Sequence, residues 1–97
     1  RNIGDVALMA VWLNNIKPWI FDVQWAKHQI EQSYNGDVAW AAYLLCVYNL
    51  DKDEIDIDWA KQQIELGIGE VKLAANYLYT KGYVTKKWRD QQLAKLE

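Results

Sequence analysis

The sequence predicts an all-α protein of six helices paired as three helix-turn-helix hairpins in a single domain, and three observations lead there. Residues 21–31 read FDVQWAKHQIE and return as IDIDWAKQQIE at 55–65, with Asp, Trp, Ala, Lys, Gln, Ile and Glu kept in place. A second pattern alternates with the first: GDVALMAVWL from Gly4, GDVAWAAYLL from Gly36 and GEVKLAANYL from Gly69, at steps of 32 and 33 residues. One Pro and five Gly in 97 residues leave room for long regular elements. Self-similarity at such a period marks stacked supersecondary units, here spanning about 4–35, 36–68 and 69–97.

The glycine-headed segments supply the first helix of each unit. Val6, Ala10 and Leu13, then Val38, Ala42 and Leu45, fall at i, i+4 and i+7, the stripe of an amphipathic helix facing a core. The acid after each glycine, Asp5, Asp37 or Glu70, stands where free backbone N–H groups and the positive end of the helix dipole favour a carboxylate. Gly36 and Gly69 are expected to terminate the preceding helices.

The WAK segments supply the second helices, with Val23, Ala26 and Ile30 on one face and Ile57, Ala60 and Ile64 on its counterpart. Asp22 and Asp56 precede them as N-caps. TKKWRDQQLAKLE, from Thr85, keeps Trp88, Gln92 and Leu93 but replaces apolar neighbours with charge, as a terminal repeat with a solvated outer face should. The expected helices are about 5–15 with 22–34, 37–49 with 56–67, and 70–81 with 85–96. Arg1 is no initiator methionine, and Arg1 to Ile3 read as the tail of an earlier repeat.

Composition narrows the function. A formal net charge of −2 provides no basic field to collect phosphate, which disfavours nucleic acid as a partner. The densest positive cluster is Lys81, Lys86, Lys87 and Arg89; binding through it would show steep salt dependence. Cys46 is the single cysteine and lies in the apolar run AAYLLCVY, where a buried, inert thiol in a reducing, cytoplasmic setting is expected. No run approaches the roughly 18 apolar residues of a membrane span.

Paired helices at a period near 34, with Ala10, Ala42 and Ala75 at one fixed place in the first helix and an aromatic in the second, resemble tetratricopeptide and Sel-one-like repeats. YTKGYV, Tyr79 to Val84, is similar to the Sel-one-like Y-x-x-G-x-G-V turn with one glycine missing. LLCVY, Leu44 to Tyr48, is similar to L-G-x-x-Y, with Leu45 where glycine is expected. The resemblance implies a right-handed superhelical array of α-α hairpins and a scaffold that binds peptides or proteins without a cofactor, rather than an enzyme.

Candidate chemistry yields to plainer readings. His28, the only histidine, is replaced by Gln62 in the second copy, which makes it an exposed polar helix position. The acidic run Asp51 to Asp58 fails as a calcium loop, since its sixth position is Asp56 rather than glycine and its twelfth is Gln62. Asp22 and Asp56, considered as paired carboxylates, are better explained as caps. No triad, Cys-His pair, phosphate-binding glycine loop or zinc spacing is present, so neither a catalytic nor a metal site is expected.

Trp25, Trp59 and Trp88 recur at one repeat position and are expected to pack between hairpins. Residues that do not recur point to recognition. Positions just past the Val-Ala-Leu stripe place Asn15, Tyr43, Val47, Lys72, Asn76, Tyr79 and Thr80, with Trp40 near the edge and Val11 and Asn14 further along, on a groove lined by the first helices. Such side chains suit a partner peptide or protein segment. The alternative is a small acidic helical inhibitor or assembly subunit that binds a protein through its outside, at Trp12, Trp19 and Phe21.

Overall fold

The computed structural model describes residues 5–34, 36–50 and 55–96. Among these residues there are six helices and no strand: α1 Val6–Ile16, α2 Val23–Gln32, α3 Val38–Tyr48, α4 Ile57–Glu65, α5 Val71–Thr80 and α6 Lys86–Ala94. The expected Asp51–Glu54 part of the acidic run lies outside the described residues, as do Arg1–Gly4.

The caps account for where the helices begin. Asp5, Asp22, Asp37 and Asp56 each accept from the backbone N–H three residues on, at Leu8, Trp25, Trp40 and Trp59, and Thr85 accepts from Trp88 N–H in the same way. Each side chain satisfies an amide that the first helical turn leaves without an internal partner. Glu70 forms no such side-chain bond. Asp22 and Asp56 are caps as expected, and the expected ranges, which begin on the cap residue, start one position early.

The glycines ahead of the caps do not terminate helices. α2 ends at Gln32 and α4 at Glu65, well before Gly36 and Gly69. It is Gly67, with φ of 82°, that turns the chain after α4, its N–H bonded to the Ile64 carbonyl. Gly36 and Gly69 make room for the acid of the preceding hairpin. A Cβ on Gly36 would stand 2.5 Å from Asp5 Oδ1, and one on Gly69 would stand 2.8 Å from Asp37 Cα. Through these gaps Asp5 accepts from Asp37 N–H at 3.1 and 3.2 Å, and Asp37 Oδ1 accepts from Glu70 N–H at 2.8 Å. One carboxylate thus caps its own helix and holds the start of the next hairpin.

Helices pair in chain order, α1 with α2, α3 with α4 and α5 with α6, while α3 also packs on α1, α2 and α5. A helix enclosed on so many sides should be apolar all round, and VAWAAYLLCVY is. Val38, Ala41, Ala42, Leu45 and Cys46 join the first core cluster with Ala7, Ala10, Val23, Ala26 and Ile30, whereas Ala39 and Tyr43 join the second with Ile64, Val71, Ala74, Ala75 and Leu78. Alanine recurs wherever helices meet because a small side chain lets the backbones approach and leaves no void.

Candidate functional site

The WAK motif builds contacts between successive hairpins. Trp59 Nε1 donates to Glu31 Oε2 at 2.8 Å while Lys27 Nζ sits 5.6 Å from the centre of the same ring. One hairpin later, Trp88 Nε1 donates to Glu65 Oε2 at 2.8 Å and Lys61 Nζ lies 5.7 Å from its ring. The Lys and Glu of one second helix thus clasp the tryptophan of the next. The third copy keeps the Trp but has Asp90 and Ala94 where Lys and Glu stood.

The first helices distribute the residues assigned to the groove in three ways. Tyr43 is 5 % exposed and belongs to the core between α3 and α5, at the position held in the first hairpin by buried Val11. Asn14 is buried too: its Nδ2 donates to the Phe21 carbonyl at 2.9 Å, and its Oδ1 accepts from Asn49 Nδ2 at 3.4 Å. Positions one residue past the stripe therefore face the next hairpin rather than an open groove.

Lys72, Asn76 and Tyr79 occupy those same positions on α5, where no hairpin follows among the described residues. They form a polar outer face instead. Arg89 Nη1 donates to Asn76 Oδ1 at 3.0 Å, its guanidinium lies 4.6 Å from the Tyr79 ring centre, and its Nε meets Asp90 at 2.7 Å. Asp90 also takes Lys86 at 2.9 Å; the Lys86 hydrogen bond first, then that of Arg89, holds its carboxyl below the usual range. Asn15 is exposed on α1, at the other end of the row of first helices.

Trp40, Tyr43 and Thr80 do come together, around Tyr77. Trp40 stacks on Tyr43 at 4.9 Å, and Tyr77 stands edge-on to both, at 5.4 and 5.7 Å, within the range of favourable ring pairs. Val47 packs against the second core cluster, to which Tyr43 belongs. A surface pocket of about 230 Å³ opens beside them, lined by Tyr43, Tyr77, Thr80 and Lys81. Burial raises the Tyr43 phenol above its ordinary value, with the charges of Tyr77, Tyr48 and Tyr83 adding to the effect.

Tyr77 and Lys81, which both line this pocket, escaped the sequence reading of the groove. The signal was present: Tyr77 takes the place of Trp12 and Leu44, one helical turn on from Leu8, Trp40 and Leu73, and this second stripe is bulky in all three units. A further shallow pocket, of about 450 Å³, lies on α1 between Asp5, Leu8, Met9 and Trp12.

His28 is exposed, as Gln62 is. Among the described residues no group of three or more His, Cys, Asp or Glu is placed to hold a metal, and no helix is long and apolar enough to cross a membrane. Cys46 is fully buried, its thiol directed at the Asp56 carbonyl at 3.7 Å. Burial, with the Asp56 charge second, pushes that thiol up to about 11. No protein-family model matches the chain, and no curated protein or solved structure does either.

Proposed function

We propose that this chain is a non-enzymatic protein-binding module that holds an extended segment of a partner against the exposed side of its first helices. The tetratricopeptide-like, right-handed superhelical arrangement belongs to the same proposal. So does a reducing, cytoplasmic setting, which suits the free thiol of Cys46. The observation that carries the reading is the pocket between Tyr43, Tyr77, Thr80 and Lys81, two of whose rings pack against Trp40. Rigid aromatic rings bury large contact area at little entropic cost, and aromatic-lined grooves accept extended, proline-containing segments. Lys81 favours an acid on that segment.

The test uses isotope-labelled protein and a set of extended proline-containing peptides with and without an acidic residue. Amide shifts centred on Tyr77, Thr80 and Lys81, with the Trp40 indole moving too, are expected, and Tyr77→Ala should weaken binding at least tenfold while helicity holds. Absence of binding across the peptide set sinks the reading. A second reading rests on the link between α1 and α2, where Trp19 is 76 % and Ile20 58 % exposed beside Trp12 at 57 %. Those residues suit an inhibitor or assembly subunit that binds a protein through its outside. Shifts confined to them would favour it.

A further inference from the structure

The two ends of the row of hairpins are chemically unlike. At the last hairpin, Lys72, Asn76, Tyr79, Arg89 and Asp90 stand where the middle hairpin has Ala39, Tyr43, Cys46, Ala60 and Lys61. Each of those five middle residues either packs toward the third hairpin or supports α3 and α4, and the substitutions make the last face polar and internally paired. Nothing comparable has happened at the first hairpin.

Val38, Ala41 and Leu45 are buried against the first hairpin, and Val71, Ala74 and Leu78 against the second. Their counterparts on α1 are Val6, Met9 and Leu13. Val6 is 46 % and Met9 44 % exposed, and Leu13 is half-buried, although all three remain apolar. The second helix follows suit: Ile55 and Trp59 are buried, while Phe21 and Trp25 at the same positions are half-buried. Trp25 is thus the tryptophan of a clasp whose Lys and Glu are missing from the chain as described.

We propose that the Val6, Met9, Leu13, Phe21 and Trp25 face is a docking surface for a further helical hairpin of this repeat type, supplied by a partner. The occupant's second helix carries a Lys and a Glu four residues apart, set to Trp25 as Lys27 and Glu31 are set to Trp59. Continuity with the two interfaces already in the molecule dictates that chemistry. A second copy stacked through its last hairpin does not meet it, since Asp90 and Ala94 occupy the clasp positions there and Arg89 replaces a buried alanine. The surface is separate from the Tyr77 pocket, so occupation of one leaves the other open.

The probe is the chain's own middle hairpin, residues 36–68, joined ahead of residues 4–97 through the link that precedes the other units. Amides of Val6 to Leu13 are expected to slow at least tenfold in hydrogen exchange, with a blue-shifted indole emission and a rise of several degrees in Tm. A second fusion, with Asp and Ala at the added clasp positions, should lose most of that gain. Equal protection in both fusions, or none in either while the added hairpin is itself helical, overturns the proposal. So does a dimer of the unmodified chain in sedimentation that Met9→Lys dissociates, because a second copy would then be the occupant.

Discussion

Trp59 and Glu31 are joined by a 2.8 Å indole-to-carboxylate hydrogen bond that crosses from the second hairpin to the first. The bond repeats between Trp88 and Glu65, and in both places a lysine of the same helix lies over the ring. An indole N–H is a donor only, so a largely buried tryptophan requires an acceptor, and the motif provides one from the neighbouring unit. Replacing Trp59 by Phe keeps most of the apolar contact and removes the donor. About 1.5–3 kcal/mol of stability should be lost, the range for a hydrogen bond to a charged partner. A double-mutant cycle with Glu31→Gln, read by urea unfolding, checks it: additive effects would mean that the pair is uncoupled.

Asp37 serves two amides, those of Trp40 and Glu70, whereas Asp22 serves only Trp25 among the bonds described. Asp22→Ala should cost about 1 kcal/mol, the usual loss of a cap. Asp37→Ala should cost roughly twice that, because the start of α5 loses its partner as well. Equal losses in thermal or urea unfolding would refute the double role.

Gly67 and Gly69 both have positive φ, 82° and 96°, yet they should respond differently to alanine. A Cβ on Gly67 meets nothing within 4 Å, so Gly67→Ala should cost only about 1 kcal/mol from the left-handed backbone. A Cβ on Gly69 runs into the backbone and carboxylate of Asp37, which are fixed by their own bonds. Gly69→Ala should therefore cost several times more, on the order of 3 kcal/mol. Comparable unfolding midpoints for the two variants would contradict the packing described.

Cys46 supplies a pH test. Its folded-state thiol keeps its proton to about 11, while the unfolded thiol gives it up near its ordinary 9.0. Between those values the unfolded chain binds fewer protons, so unfolding becomes easier as pH rises. Stability from this group is full below about pH 9 and is lost progressively toward about pH 11. Cys46→Ala should remove that part of the slope in urea titrations across the window. The native thiol should also resist a disulfide reagent until the protein opens.

Much of the fold was legible because its determinants are local and repeated. Five apolar stripes at helical spacing, a sixth segment that repeats the Trp of the WAK copies, and Asp or Thr ahead of five of the helices placed the elements to within a residue or two at each end. The misreadings share one cause. Gly36 and Gly69 look like helix terminators when considered alone, and only the distant carboxylates of Asp5 and Asp37 explain them. Tyr43 and Asn14 look like groove residues until the next hairpin or the connecting link covers them. Sequence periodicity places a side chain on a helix face; which neighbour meets that face depends on how the hairpins stack. Tyr77 was missed for the same reason, since its half-exposed place follows from lying on the second stripe at the edge of the interface between hairpins.

Arg89 tests whether the side chains of the third hairpin keep its outer face from stacking. Its counterparts Ala26 and Ala60 are fully buried, and it instead bridges Asn76, Asp90 and the Tyr79 ring. Being partly exposed, these contacts are screened, so Arg89→Ala should cost at most about 1 kcal/mol. Its larger effect should be on association. With a small side chain restored, α5 and α6 regain part of the profile of an internal face, and the apolar Val6 and Met9 end of another copy can approach it. Joining Arg89→Ala to Asp90→Lys and Ala94→Glu should complete the clasp and give head-to-tail oligomers whose size grows with concentration, as heterologous contacts that do not close must. Sedimentation velocity across a concentration series reads the outcome, and Trp25→Ala in the same background should return the protein to its starting size. A triple variant that stays at the starting size would show that the clasp residues alone do not decide whether two hairpins stack.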